Sequence, residues 1–259
     1  TSGLVVYDLC AGSGALTIQK WAQNPSKTFI CEELDERVIP LLLFNMAVRN
    51  MSGYVIHRTA LTLEPFECCR LVSDERFSTI TRVDAPPDIH ADEIVSNPPY
   101  NIRWDAPTPL LADERFLNKP IPPSSNANFA FVLTALNRME PGGRCAFVLP
   151  CGVLSSDPGR EMREWLVDSG MVERVISLPD KMFESTGIPT CVMVFSHGNQ
   201  KVKFFDCRPK AAQEQRDQNG QFGGASHENR TYHKMVNVLP DDLIHRLCMA
   251  CEDIPGFSK

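Results

Sequence analysis

The 259-residue sequence contains no apolar run long enough to cross a membrane. A helical span needs roughly 20 consecutive apolar residues, and no stretch comes near that length. The first residues also lack the basic region and apolar stretch that mark a secretory signal. We therefore expect a cytoplasmic protein without membrane contact. A hydrophobic content of 43% is ordinary for a globular domain.

The histidines and cysteines show no metal-ligand spacing. The six histidines are scattered, and most of the ten cysteines stand alone in apolar segments, as Cys31, Cys145 and Cys191 do. Such cysteines are typical of reduced thiols packed in an intracellular protein. Cys248 and Cys251 form a C-x-x-C pair, but without a second pair the metal signal is weak. We expect no metal.

An excess of basic residues is missing as well. The chain has 26 Lys and Arg against 32 Asp and Glu, which gives a net charge of −6. A protein with this charge is not expected to bind nucleic acid through a broad basic surface of its own. DNA contacts made largely by another domain or subunit are compatible with it.

Short β-branched runs alternate with helical patterns through the first 200 residues. Strands are predicted at 4–9, 27–31, 54–57, 93–96, 144–149, 172–178 and 190–195. This alternation indicates an α/β fold with a doubly wound, mostly parallel sheet of seven strands. The last two strands have no room for a crossover helix between them, so the last strand is predicted to be antiparallel.

The pattern changes near residue 198. We assign residues 1–197 to one domain and residues 198–259 to a C-terminal extension. Within the extension, 201–207 is a candidate extra strand, 209–230 a polar, mobile loop, and 240–252 a closing helix. The segment 68–87 fits no element of the predicted fold.

A glycine turn follows the first strand. Asp8-x-x-x-Gly12-x-Gly14 precedes a helix, and glycines there let the backbone approach a ligand closely. A dinucleotide fingerprint would place a third glycine where Thr17 stands. Glu33 ends the second strand, about 20 residues on, where a carboxylate can accept both hydroxyls of a ribose. The turn alone could be structural; together with Glu33 it favours a nucleotide-like ligand.

Asn97-Pro98-Pro99-Tyr100 follows the fourth strand, on the same edge of the sheet as the glycine turn. The prolines fix two φ angles and remove two donors, so the strand must end there. The Asn97 amide oxygen and the Pro98 carbonyl are thereby prearranged acceptors, and Tyr100 offers a face for stacking. An isolated Asn-Pro-Pro-Tyr could be only a turn, but this motif resembles that of the amino-methyltransferases. The resemblance implies methylation of a planar amino group, which these residues would promote by orientation and electrostatics rather than by general base catalysis.

The run from Asp8 to Gly14 resembles the first motif of S-adenosylmethionine-dependent methyltransferases of class I, which have a Rossmann-like fold. The resemblance implies that Ala11-Gly12-Ser13-Gly14 passes the methionine part of the cofactor. It also implies that Asp8 orients nearby backbone or the methionine amine and that Glu33 holds the ribose. Leu34 would lie against the adenine, near Thr59, which stands where an acidic residue is common. The Asn-Pro-Pro-Tyr motif is similar to that of the amino-methyltransferases.

From Asp92 onward the sequence resembles the modification subunits of type I restriction–modification systems, the N-6 adenine DNA methylases. The motifs are NPPYN at 97–101, WD at 104–105, DxRF at 113–116, PPxSNA at 122–127, FAF at 129–131, GGR at 142–144, VLPxGVL at 148–154, LP at 178–179, Phe183 and TGIxT at 186–190. The resemblance implies adenine-N6 methylation of double-stranded DNA, in which the base must be flipped out. It further implies an upstream helical region, a DNA-specificity subunit and, as an additional partner, a restriction subunit.

Further site residues follow from this resemblance. Phe129 and Phe131 are candidates to flank the flipped base, although aromatic residues on a helix are more often core residues. Arg103 and Lys119 are candidate phosphate contacts, although exposed charges are usually only solvated. Asn128 stands where an acidic residue often precedes the aromatic one.

Two other functions stay open. One is methylation of RNA or of a protein glutamine amide, which also uses Asn-Pro-Pro-Tyr. The other is a catalytically degenerate domain that binds the cofactor or partner subunits. The proline-rich segment and the TGIPT sequence favour DNA.

Overall fold

The computed structural model describes residues 4–104, 112–183, 187–219 and 231–249. The strands are β1 Val5–Asp8, β2 Thr28–Glu33, β3 Ser52–Arg58, β4 Pro65–Val72, β5 Thr79–Val83, β6 Ala91–Ser96, β7 Met139–Pro150, β8 Val172–Ser177, β9 Thr190–Phe195, β10 Lys203–Asp206, β11 Ala212–Asn219 and β12 Thr231–Val238. The α-helices are α1 Ala15–Gln23, α2 Ile39–Ala47, α3 Asn128–Asn137, α4 Arg160–Asp168 and α5 Asp241–Met249. Asp105 and Thr186, which belong to two of the quoted motifs, lie outside the described residues.

The chain divides into two compact units. The first comprises Thr1–Glu173 and Met193–Val202, and the second Arg174–Val192 and Lys203–Lys259. The boundaries between the units fall within β8, within β9 and after Val202. A domain at 1–197 with an extension at 198–259 stays a prediction.

The first unit holds the predicted doubly wound sheet. The strand order in this unit is β9-β7-β6-β1-β2-β3-β4-β5. Only the second half of β9, from Met193, belongs to the unit. The pairs β1–β2, β1–β6, β2–β3 and β6–β7 are parallel, as strands joined by crossover helices must be. Two hydrogen bonds give the direction of β8 and β9. The Ser196 N–H donates to the Met171 carbonyl, and the Leu178 N–H donates to the Thr190 carbonyl. The two strands therefore run antiparallel, as predicted.

The segment 68–87, which the sequence left without interpretation, lengthens the sheet. β4 pairs antiparallel with β3, and β5 pairs antiparallel with β4. β4 and β5 are thus two strands that were not predicted. Within the second unit, β10 pairs parallel with β8. The predicted strand at 201–207 is therefore confirmed.

β7 begins earlier than its apolar pattern indicates. Met139 already pairs with Ala91, and the regular ladder resumes five residues later, with Glu93 opposite Arg144. The residues between are Glu140 to Gly143, and the ladder shifts register there. The Pro-Gly-Gly sequence that follows α3 therefore lies within an irregular strand, which is where proline and glycine are tolerated in a sheet.

The second unit corrects part of the prediction of a mobile loop at 209–230, of which residues 220–230 lie outside the described residues. Ala212–Asn219 forms β11, which pairs along its whole length with β12 in an antiparallel ladder. A polar, Gln-rich sequence does not indicate a strand by itself. It extends here because it pairs residue by residue with β12, in which Val236 is buried. The closing helix is confirmed over Asp241–Met249 and buries Leu243 and Leu247 against Phe205.

The core of the first unit holds the carboxyl-terminal ends of its central strands in place. α2 buries Leu42 and Met46 against Phe29 and Cys31 of β2.

None of the described helices combines the length and apolarity of a membrane span. Within the same described ranges, no cluster of three or more His, Cys, Asp or Glu side chains has the arrangement of a metal site.

Candidate functional site at the carboxyl edge of the sheet

Three parallel strands end side by side in the first unit. β1 ends at Asp8, β2 at Glu33 and β6 at Ser96, and β1 lies between the other two. The carboxyl-terminal ends of adjacent parallel strands share one edge, which is where open α/β sheets bind ligands. The glycine turn, Glu33 and the Asn-Pro-Pro-Tyr segment are therefore neighbours, as the sequence predicts.

The two glycines of the turn have different surroundings: Gly12 borders open space, and Gly14 is tightly packed. Gly12 and Gly14 have φ angles of 55° and 91°, the left-handed region that favours glycine. A Cβ atom at Gly12 would meet nothing within 4 Å, whereas one at Gly14 would lie 2.9 Å from Leu42 Cδ1. Gly14 lets α1 pack close to α2, and Gly12 leaves space on the ligand side. The Ser13 carbonyl accepts from Asn45 Nδ2, which ties the turn to α2.

The Glu33 carboxylate lies directly on this turn. Its Oε2 accepts from the Gly12 N–H at 2.7 Å, and its Oε1 accepts from the N–H groups of Leu34 and Asp35 at 2.8 Å each. These three bonds fix the carboxylate. Two of them occupy both lone pairs of Oε1, whereas Oε2 keeps acceptor capacity for a further hydroxyl. Leu34, beside it, is 56% exposed and presents an apolar surface.

Asp8 is the buried centre of the edge. Its Oδ1 accepts from the Cys10 N–H at 3.2 Å and from the Ser96 hydroxyl at 3.1 Å, and its Oδ2 accepts from the Thr17 hydroxyl at 3.4 Å. The side chain is 1% exposed. Burial raises the pKa of Asp8 to about 7, against the lowering effect of these donors. Thr17, which stands where a dinucleotide fingerprint needs glycine, thus has a defined role as a donor to Asp8.

The Asn-Pro-Pro-Tyr segment presents alternate residues to solvent. Asn97 and Pro99 are exposed, Pro98 is buried and Tyr100 is half-buried. The Tyr100 hydroxyl donates to Asn97 Oδ1 at 2.6 Å. The amide oxygen predicted to receive an amino hydrogen of the substrate is therefore accessible and accepts from the tyrosine in this structure.

A reciprocal amide pair fixes the residue after Tyr100. Asn101 has a φ of 56°, its N–H donates to Asn128 Oδ1 at 3.3 Å, and Asn128 Nδ2 donates to Asn101 Oδ1 at 3.1 Å. Asparagine is one of the few residues that tolerates this left-handed conformation. Asn128 thus anchors the turn to the start of α3, a role that the sequence did not reveal.

Arg115 joins the segment beyond this turn to the rest of the unit. Its guanidinium binds both carboxylate oxygens of Asp113 and donates to the carbonyls of Ala60 and Leu61 and to the Thr134 hydroxyl. The side chain is 1% exposed. Because these carbonyls lie just after β3, Arg115 holds the residues following Asn-Pro-Pro-Tyr against the loop that contains Thr59. The Arg115 guanidinium lowers the pKa of Asp113.

Four predicted site residues are buried or have other contacts. Phe129 and Phe131 are 1% and 4% exposed on a helix whose residues 128–136 are all buried, so neither ring presents a face to a base. Lys119 Nζ donates to the carbonyls of Glu114 and Arg115 and so stabilises their turn. The Thr59 hydroxyl accepts from the Leu61 N–H at 3.4 Å, within its own turn. The core interpretation of the two phenylalanines is the one that agrees with their burial.

A buried cluster of charged side chains surrounds Glu32, the residue before Glu33 on β2. Arg138 donates to Glu32 Oε1 at 2.6 Å and to the Tyr7 hydroxyl, and Arg58 forms an ion pair with Glu32. Burial raises the pKa of Tyr7 well above its usual value. Glu32 and Glu33 are consecutive on β2, so their side chains point to opposite faces. One carboxylate is therefore enclosed in the cluster while the other reaches the glycine turn.

A cavity of about 580 Å³ lies away from this edge. Its lining includes Leu4 just before β1, Glu93 in β6 and Arg144 in the middle of β7. The lining residues include neither the glycine turn nor Asn97.

The comparison with known proteins agrees with this geometry. The family model described as N-6 DNA Methylase matches residues 1–255. The Type I restriction enzyme MpnII methylase subunit of Mycoplasma pneumoniae is 31% identical over 209 residues, which cover 76% of this chain and 36% of that protein. The HindI methylase subunit of Haemophilus influenzae is 30% identical over 128 residues, covering 47% and 28%.

Solved structures share the fold. The type I restriction-modification system methyltransferase subunit from Streptococcus thermophilus superposes with a TM-score of 0.75 at 24% identity, covering all of this chain and 50% of that one. The EcoKI M protein gives a TM-score of 0.56 at 20% identity, covering 87% and 47%. The chain spans 36% of the Mycoplasma relative and about half of the structural ones.

Proposed function

This chain belongs to the N-6 DNA methylase family, and we propose that it contains the catalytic site of an S-adenosylmethionine-dependent DNA adenine-N6 methyltransferase, the modification subunit of a restriction–modification system. One observation carries the proposal. The glycine turn with Glu33 and the Asn-Pro-Pro-Tyr segment lie on one edge, joined through Asp8. A methyl donor and an amino acceptor must meet at such a place.

The residues at the turn fit S-adenosylmethionine. The open space at Gly12 gives a ligand close access to the backbone, and Glu33 Oε2 has acceptor capacity for a ribose hydroxyl. The exposed Leu34 side chain provides an apolar contact for a purine. The cofactor, when bound, supplies an electrophilic methyl group on a sulfonium. We assign its binding to Asp8, Ala11-Gly12-Ser13-Gly14, Glu33 and Leu34, with the Thr59 loop as its adenine-side border.

The chain's own residues would then activate the acceptor. An adenine amino nitrogen shares its lone pair with the ring, so it is planar and a poor nucleophile. The Asn97 amide oxygen and the Pro98 carbonyl each accept one amino hydrogen, which favours the pyramidal geometry that directs the lone pair towards the methyl group. Asn97 cannot ionise, so it orients and polarises the nitrogen without removing a proton. Tyr100 stacks on the base, and its hydroxyl leaves Asn97 Oδ1 as the base enters.

The test is methyl transfer from labelled S-adenosylmethionine by the complete protein with any subunits it requires. Duplex DNA, RNA and a glutamine-containing peptide are offered separately, and adenine N6 of the duplex is the expected acceptor. Asn97→Ala should reduce transfer by about 10²- to 10³-fold, a loss comparable to removing a preorganised polar group in other enzymes. Cofactor binding, measured by calorimetry, should stay within about threefold of wild type.

Each other outcome has a defined meaning. Transfer to RNA or to the peptide instead would assign the alternative amino-methyltransferase function. Cofactor binding without transfer to any acceptor would favour a degenerate binding domain. Full activity of the Asn97 variant would contradict the role of Asn97 while leaving methyl transfer intact.

We also propose that a DNA-specificity subunit supplies most DNA contacts, with a restriction subunit as a further partner. The net charge of −6 supports this division, because phosphate binding depends on basic residues that this chain does not have in excess. Removing the specificity subunit should abolish duplex binding, measured by gel shift. Cofactor binding should be unaffected.

A further inference from the structure

We propose that Ser96 is a positioning residue, which through Asp8 aligns the Asn-Pro-Pro-Tyr segment with the glycine turn. The proposal rests on the methyltransferase function proposed above. It concerns how the two halves of the site are held in register, not which groups contact the substrates.

Two donors from different strands meet on one atom. The Cys10 N–H, at the start of the glycine turn, and the Ser96 hydroxyl, at the end of β6, both donate to Asp8 Oδ1 at 3.2 and 3.1 Å. Residues 8 and 96 are 88 positions apart in the chain. The shared oxygen is therefore a direct connection from the cofactor turn to the residue that precedes Asn97.

The position of Ser96 makes this connection relevant to Asn97. Ser96 is 0% exposed and is the last residue of β6, whereas Asn97 is exposed. Neighbouring residues of a strand point to opposite sides, so the inward hydroxyl of Ser96 sets the outward direction of Asn97. Pro98 restricts the backbone on the other side. A displacement of about 1 Å at the reacting atoms is enough to lower a rate about 100-fold.

Thr17 provides a matched comparison. Its hydroxyl donates to the other oxygen of Asp8 from α1 and also contacts Cys31 Sγ. It resembles Ser96 in being buried and in being a hydroxyl donor to the same carboxylate. Unlike Ser96, it is not adjacent to Asn97. A role specific to alignment should therefore distinguish Ser96 from Thr17.

The protonation of Asp8 gives a second signature. With a pKa of about 7, the carboxyl gains a proton as the pH falls through neutrality, and a protonated oxygen is a weaker acceptor for Ser96 and Cys10. Five groups face Asp8: the Thr17 hydroxyl from α1, the Ser96 hydroxyl from β6, the Cys10 thiol at the start of the turn, and Cys31 and Glu33 on β2. The charge of the Glu33 carboxylate raises the pKa of Asp8 further. Loss of either hydroxyl donor raises the pKa of Asp8, since both donors lower it.

The experiment compares Ser96→Ala with Thr17→Val in the complete protein and its subunits. Methyl transfer to duplex DNA is measured at saturating cofactor and DNA between pH 6 and pH 9, and cofactor binding by calorimetry. We expect S96A to lower kcat by about tenfold or more at the pH optimum, and T17V by less than about threefold. The KM for cofactor should change similarly in both. The acid limb of the pH profile should move to higher pH in both variants.

Thermal unfolding confirms that each variant is folded. If S96A does not fold, Ser96→Cys keeps a side chain of similar size with a weaker donor, and the same difference from T17V is expected in smaller degree. Equal kcat values for the Ser96 and Thr17 variants, or a wild-type kcat for S96A, would overturn this inference and leave the proposed function standing. A wild-type protein that transfers no methyl group to any acceptor would overturn both.

Discussion

At the scale of single residues, the contact between Tyr100 and Asn97 is the one most directly tied to chemistry. The tyrosine hydroxyl donates to the same amide oxygen that we assign to the adenine amino group. We expect the adenine amino group to compete with the tyrosine hydroxyl for this oxygen when a base enters. The ring of Tyr100, in contrast, is the surface on which we expect the base to stack.

The two parts of Tyr100 can be separated by mutation. Tyr100→Phe keeps the ring and removes the competing donor, so kcat/KM for DNA should stay within about threefold of wild type. Tyr100→Ala removes the stacking surface and should lower kcat/KM by about 10- to 100-fold, since stacking contributes about 1–3 kcal/mol per base. Steady-state methyl transfer to duplex DNA measures both. A Phe variant as impaired as the Ala variant would show that the hydroxyl, not the ring, is required.

Asp8 predicts a pH dependence of stability. Its folded pKa of about 7 lies above the ordinary value of 3.8, so the folded protein holds this proton more tightly than the unfolded chain. The stabilising contribution is complete below about pH 4 and is lost as the pH rises through 7, a change on the order of 2–4 kcal/mol. Asp8→Asn has no such titration.

Thermal unfolding of wild type and D8N at pH 5 and pH 8 measures this contribution. The unfolding temperature of D8N should increase relative to wild type as the pH rises. A difference between the two proteins that does not vary with pH would contradict the assignment.

The residues at this edge were unequally predictable from the sequence. Gly12, Gly14, Glu33 and Asn97 follow from short motifs, because a left-handed turn or a rigid Pro-Pro step restricts the local residue types. The partners that hold those motifs together could not be identified. The pairs Asp8–Ser96 and Asn101–Asn128 are 88 and 27 positions apart and involve common side chains without a local pattern.

At the scale of secondary-structure elements, the segment after Asn-Pro-Pro-Tyr depends on one buried cation. Arg115 satisfies the carbonyls of Ala60 and Leu61 and the Thr134 hydroxyl, and Phe116 packs against Trp104. The segment therefore has few independent contacts that could replace Arg115.

Arg115→Met should lower the free energy of unfolding by about 3–5 kcal/mol, since it leaves buried carbonyls and Asp113 without their partner. Arg82→Met is the control. Arg82 also forms an ion pair, with Glu67, but is 81% exposed, and its loss should change stability by less than about 0.5 kcal/mol. Denaturant unfolding measures both. An R115M variant as stable as R82M would contradict the role of Arg115 as the anchor of this segment.

Elements were predicted well where each carries its own periodicity. β1, β2 and β6 contain apolar or β-branched runs, and a following Gly or Pro marks the ends of β1 and β6. β11 was missed because its sequence is polar and its pairing partner β12 lies across the segment 220–230. The hairpin β4–β5 was missed for a related reason: its outer strand β5 is largely exposed and lacks an apolar face.

At the scale of the whole molecule, the net charge of the chain bears on how DNA is recognised. The net charge is −6, and the chain spans 36% of its Mycoplasma relative and 50% of the Streptococcus structure. The described site brings together groups for cofactor and amino nitrogen. Recognition of a DNA sequence needs groove contacts, which we expect from other domains or subunits.

The most direct measurement is sequencing that maps N6-methyladenine in the genome of cells carrying the intact gene, the Asn97→Ala gene or no gene. We predict methylated adenines at one recurring DNA sequence with the intact gene, and none at that sequence in the other two. Identical methylation in all three would contradict the assignment of this chain as a DNA adenine methyltransferase with Asn97 at its catalytic centre.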